Sequence, residues 1–179
     1  MFEDKDMKIV GDKPSESVKR NAEKKETDIE KISLDSSLGK KLGKAVAREF
    51  IKAGSSAFAE TEDDDNYMMM QRLLLLSFTV TVGLESFCEN DTVSGIAQKT
   101  FLDTLRHEAP ELYSYTSDTG AFSFYFLAYR RGTEVVRRIG QTFAMLCSHD
   151  GDPIYQELGE TLYCWFYSVI EQTVKKISN

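Results

Sequence analysis

The sequence predicts an all-α protein, a single globular bundle of about six helices behind a disordered N-terminal tail. Three observations predict it. From Leu38 to Ile177 apolar residues recur at every third or fourth position over most of the chain, the period of one helix face. Between those stretches stand residues that start and stop helices, Asp152-Pro153 being the sharpest. Ahead of them, the first 35 residues interleave Lys, Arg, Glu and Asp with few large apolar residues, Ile9, Val10, Ile29, Ile32 and Leu34 among them. Such a segment buries too little surface to offset the entropy of ordering it. The expected division is therefore a flexible charged tail over 1–37 and a helical domain over 38–179, with Ile29, Ile32 and Leu34 able to dock or to extend the first helix.

The first helix is read from Leu38, Leu42, Val46, Phe50 and Ala53 or Ala57, with Lys40, Lys41, Lys44, Arg48 and Lys52 on the opposite side. An acidic break, Glu60 to Asp65, suits the positive end of the next helix dipole. That helix, Tyr67 to about Cys88, is apolar nearly all round in its first half and is expected at the centre. A membrane span needs about 20 mainly apolar residues. Gln71, Arg72, Ser77, Thr79, Thr81 and Gly83 interrupt this one, which makes a buried core helix the better reading.

Asp91 has the chemistry of an N-cap for a helix carrying Val93, Ile96, Ala97, Phe101 and Leu105 and ending near His107. Pro110 fits the first turn of a short helix with Leu112 and Tyr113. Ser117 or Asp118 can cap the next, Ala121 to Tyr129, whose lack of a polar side argues for burial; strand competes there, since aromatics favour it, but the neighbouring elements carry helical spacing. Gly132 then Thr133 reads as a C-cap followed at once by an N-cap, opening a helix that turns Val135, Val136, Ile139, Phe143 and Leu146 inward and stops at Gly151. The last helix starts at Asp152-Pro153 and carries Ile154, Leu158, Leu162, Trp165 or Phe166, Val169 and Val174 on to Ile177.

The totals limit function more than they define it. With 41% hydrophobic and 28% charged residues over 179, the chain can build a core without a metal or disulfide staple. A net charge of -7 repels phosphate backbones, so no nucleic-acid partner is expected, and no membrane either. The odd, scattered cysteines Cys88, Cys147 and Cys164 and an acidic, unsignal-like N-terminus point to a reducing, cytoplasmic setting.

Chemistry-bearing constellations are hard to assemble. Two histidines, His107 and His149, exclude a His-rich metal centre, and Asp63-Asp64-Asp65 and Asp150-Gly151-Asp152 lack the central glycine and distal glutamate of a calcium loop at the required offsets. Gly39-Lys40-Lys41-Leu42-Gly43-Lys44 is one residue short of a phosphate loop and lies inside a helical pattern. In Cys147-Ser148-His149 the neighbours do not face each other, and the thiol reads as core. No catalytic residue, cofactor or metal follows.

Two features carry sharper readings. Ser77, Thr81, Glu85 and Cys88 share one face of an apolar helix: inward, they form the polar side of a pocket; outward, the exposed stripe of a helix leaving the core. Glu85 favours exposure, since buried glutamate is uncommon without a partner. Tyr125, Tyr129, Arg130 and Arg131, with Glu134, Arg137 and Arg138 after a turn, can clamp a carboxylate or phosphate. Equally, the arginines suit a helix end and Glu134 can pair with Arg137 or Arg138.

The expectation is a non-enzymatic helical interaction protein, an adaptor or homo-oligomer, whose partner is another protein or a second copy. The alternative is a small-molecule sensor with a pocket between helices, for which Glu85, Tyr125, Tyr129 and Arg130 are the ligand-binding residues.

Overall fold

The structure, a computed structural model, describes the chain over 16–58, 66–116 and 119–179, with side chains described over 30–55, 67–116 and 120–179. Seven helices and no strand occur among the described residues. They are α1 (Glu16–Phe58), α2 (Asn66–Phe87), α3 (Asp91–Glu108), α4 (Pro110–Tyr115), α5 (Thr119–Arg130), α6 (Val135–Leu146) and α7 (Pro153–Ser178). The all-α bundle is as the periodicity predicts, the short α4 being a separate element.

The chain divides into two units, Met1–Leu34 and Asp35–Asn179. In the first, the described side chains Glu30 to Leu34 are all exposed. α1 begins within the segment whose composition predicts a tail, because Glu, Lys, Arg and Ala favour a helix without needing a buried face. The residues before Glu16 lie outside the described ones, as do the acidic break over 59–65 and the Ser117 and Asp118 positions expected to cap α5.

In the second unit, α2 is the wall between two apolar clusters. One of its stripes, Leu73, Leu76, Val80 and Leu84, meets Leu42, Val46 and Phe50 of α1, Phe101 and Leu105 of α3, Leu112 of α4, and Phe166 and Ile170 of α7. The other, Leu75, Phe78 and Val82, meets Tyr125 of α5, Ile139 and Phe143 of α6 and Tyr163 of α7. Fully burying a side chain such as Phe50, Phe78, Phe143 or Phe166 contributes about 1.5–3 kcal/mol each. Over Tyr67–Phe87 α2 is long and apolar enough to cross a membrane by composition, yet 72% of that apolar window is buried within the bundle.

Glycines set how closely the helices approach. A Cβ on Gly39 would stand 2.8 Å from Ile96 Cβ, and one on Gly43 would meet the Ala97 carbonyl oxygen and stand 2.7 Å from Thr100 Cβ. The glycine pair that resembles a phosphate loop is thus the notch that seats α1 on α3. Between α6 and α7 the fit is reciprocal, Gly140 receiving the backbone of Gln156 and Gly159 receiving Phe143.

Two caps differ from the sequence reading. Asn90, not Asp91, caps α3: its Oδ1 accepts from the Val93 N–H at 2.9 Å, while its Nδ2 donates to Asp35 Oδ2 at 3.3 Å. Glu134, not Thr133, precedes α6, held at φ 51 and ψ 40 with no side-chain bond to the helix. Asp152 caps α7 as expected, accepting from the Ile154 N–H at 2.8 Å with Pro153 in the first turn.

Candidate functional site

Every side chain of α5 from Ala121 to Tyr129 except Ser123 is apolar, aromatic or small, which predicts burial all round. The bundle covers one side. Ala121, Tyr125 and Ala128 are buried, but Phe124 is 49% and Leu127 62% exposed. Burial fails here because α5 is the outermost helix of its cluster, packed on α2 and α6 with nothing beyond it among the described residues.

A four-residue turn, Arg131 to Glu134, folds α6 back along α5. Between them lies an open groove of about 370 Å³. Phe124, Leu127, Ala128 and Arg131 form one side, spaced at three, four and seven residues, and Arg138, Gln141, Thr142 and Met145 the other at the same spacing. Met145 is 40% exposed, so the end of the groove away from the turn is apolar and open. Arg131 and Arg138 make its end by the turn basic; Asp150 lies beyond the end of α6. From Arg138 to Met145 the groove runs about 10 Å at a helical rise of about 1.5 Å per residue.

The turn is held by specific bonds. Gly132, at φ 72, closes α5 with its N–H on the Tyr129 carbonyl at 3.2 Å. Arg138 Nε donates to the Thr133 carbonyl at 2.9 Å, which fixes the base of that guanidinium beside the turn. Glu134 pairs with Arg137 at 3.6 Å, as the sequence allows, both side chains being 63% exposed. Among the described residues no carboxylate lies within ion-pair distance of Arg130, Arg131 or Arg138. At the other end the Tyr67 hydroxyl donates to the Leu146 carbonyl at 2.7 Å, tying the start of α2 to the end of α6.

No protein-family profile, curated protein or solved structure matches the chain. The site is therefore read from its own geometry.

Of the four residues proposed for ligand binding, two meet. Tyr125 stacks on Phe78 with ring centroids 5.2 Å apart, and Tyr129 packs edge-on against the same ring at 6.2 Å. The Tyr125 hydroxyl is buried with no hydrogen-bond partner, and burial, then the neighbouring Cys147, push its ionisation well above the usual range. Arg130 is exposed over the Phe126 ring, 6.0 Å from its centroid. Glu85 is exposed on α2 and lines neither cavity described here.

Its helix face runs out of the core: Ser77 is buried, Thr81 and Cys88 half-buried, Glu85 exposed. Ser77 and Thr81 do line a second cavity, about 100 Å³, with Gln98, Thr116, Phe101 and Phe122. Cys147 is buried, its Sγ 3.8 Å from Met68 Sδ. Burial pushes its thiol up to about 11, against the opposing pull of Arg72. His149 stacks face to face on Tyr155 at 3.7 Å.

The residues that sequence reasoning passed over are Phe124, Leu127, Gln141, Thr142 and Met145. Their signal was present in the missing polar side of α5, which has two outcomes: burial in the bundle, or a face left for something else.

Proposed function

We propose that the protein is a non-catalytic interaction protein that seats an amphipathic helix of a partner protein in the α5–α6 groove. The observation that carries this is the open apolar strip Phe124, Leu127 and Met145 ending at two arginines without carboxylate partners among the described residues. Contiguous exposed apolar surface is uncommon on soluble chains and marks contact sites. An open trough cannot enclose most of a small molecule, but it takes one face of a helix, anchored at every third or fourth residue. Charge selects the occupant: a carboxylate of the partner helix against Arg131 and Arg138, apolar residues over Leu127 and Met145. A reducing, cytoplasmic setting belongs to the same reading and is supported by three free cysteines.

Native mass spectrometry on the protein purified from its own host, as wild type and as Leu127→Asp, tests this. The expected result is a protein partner or second copy on the wild type, lost in Leu127→Asp with the melting temperature unchanged. Retention of the same partner by Leu127→Asp would sink the reading. A second reading, a small-molecule binding protein, draws on the neutral cavity of Ser77, Thr81, Gln98 and Thr116. A retained small molecule lost on Thr81→Val would favour it.

A further inference from the structure

We propose that Thr133 is a phosphorylation site whose phosphate folds onto Arg131 and Arg138 and occupies the basic end of the groove. Thr133 is exposed in the non-helical turn between α5 and α6, with Arg130 and Arg131 three and two residues before it. Arginines at those positions are the charge pattern by which an acidic kinase cleft selects its substrate, and the cleft needs the acceptor on a segment it can take up extended. Two lysine counterparts in the chain serve as comparisons. Lys24-Lys25-Glu26-Thr27 lies within α1 and Lys175-Lys176-Ile177-Ser178 closes α7, so both acceptors belong to helices.

The second observation concerns where the phosphate goes. Arg138 Nε is already on the carbonyl of Thr133 itself at 2.9 Å, and neither Arg138 nor Arg131 has a carboxylate partner among the described residues. Arg137 is engaged by Glu134, the one carboxylate in the turn. A phosphate two bonds beyond Thr133 Cβ therefore meets cations without displacing an existing pair.

The reaction is ordinary phosphoryl transfer. Thr133 Oγ1 attacks the γ-phosphorus of ATP held by the kinase. The Oγ1–P bond forms and the bond from the γ-phosphorus to the bridging oxygen breaks. ADP leaves with that electron pair, and the hydroxyl proton passes to the kinase's carboxylate base. The consequence for binding rests on the docking reading above: a phosphate on Arg131 and Arg138 competes with the partner's carboxylate.

The test incubates the full chain with an arginine-selective serine/threonine kinase and ATP, maps the phosphate by mass spectrometry, and titrates it by phosphorus NMR. One phosphate on Thr133 is expected, with the labelling rate falling about tenfold or more when Arg130 and Arg131 are both alanine. Its second pKa, about 6 in a free phosphothreonine peptide, should fall by about 0.5 or more and recover in Arg131→Ala/Arg138→Ala, whose Thr133 is labelled in the same reaction at longer times. Phosphate on Ser178 or Thr27 with Thr133 unmodified overturns the proposal, as does a pKa equal to that of the peptide. Neither readout involves the partner. Leu127→Asp should leave both unchanged, so loss of the docking reading and loss of this one are separate results.

Discussion

Ser148 sits in the left-handed region at φ 62 and ends α6: its N–H donates to the Met145 carbonyl at 3.0 Å, and the His149 N–H to the Ala144 carbonyl at 2.8 Å. That pair of bonds is the helix stop glycine makes without a Cβ penalty. Ser148→Gly should therefore stabilise the protein by about 0.5–1 kcal/mol in chemical denaturation, and a destabilised variant would contradict the assignment. Protons give a second test at this scale. Burial pushes the thiols of Cys88 and Cys147 from an ordinary 9.0 up to about 11, and Tyr163 and Tyr125 upward as well. These acids hold their protons longer folded than unfolded. The thiols' contribution to stability is whole below about pH 9 and is lost as pH rises through about 11, the unfolded chain ionising first. A urea midpoint that stays flat between those values would refute it. At residue scale the sequence was legible where one residue type holds the signal, as at Asp152-Pro153. It was ambiguous where two neighbours could cap, Asn90 beside Asp91, since backbone geometry chooses between them. It misled at Thr133, whose carbonyl is taken by Arg138 and whose successor Glu134 enters the helix strained.

Helices α6 and α7 owe their closeness to Gly140 and Gly159. A Cβ at Gly140 would lie 2.5 Å from the Gln156 carbonyl oxygen, backbone that cannot swing aside. Gly140→Ala is expected to destabilise by about 1–3 kcal/mol through overpacking. Within α3, Gly95 has nothing within 4 Å of a built Cβ, so the same substitution there should stabilise by about 0.5–1 kcal/mol through helix propensity alone. Thermal melts of the two variants moving in the same direction would refute the contrast. Helical period was the legible part of α1 from Leu38 on and of α3, α6 and α7, because a 3.6-residue repeat needs no partner to be seen. Close approach was not legible: Gly39 and Gly43 read only as two glycines inside a helical pattern until α3 is placed against them. Nor was the free face of α5, since an apolar helix reads the same whether its cover belongs to this chain or to another.

Two apolar clusters share α2, so the molecule should lose them together. Phe78 touches Phe122, Tyr125, Phe126 and Tyr129, and Phe78→Ala should cost about 3–5 kcal/mol while weakening the opposite cluster too. The check is coincidence of the far-UV circular dichroism and Trp165 fluorescence transitions in urea for wild type and variant; separated midpoints would mean the clusters unfold independently. The sharing of α2 has a further consequence during synthesis. A ribosome releases residues from the N-terminus onward, and α2 emerges while Phe143, Phe166 and Ile170, which cover its two stripes, are still untranslated. For that interval the nascent chain carries a helix of bilayer-spanning length whose Leu75, Phe78 and Val82 stripe has none of its α6 and α7 partners. Slower elongation between Leu84 and Ile170 is therefore expected to prolong the exposure of that stripe and to lower the soluble yield, which expression from synonymous slow and fast coding sequences would measure.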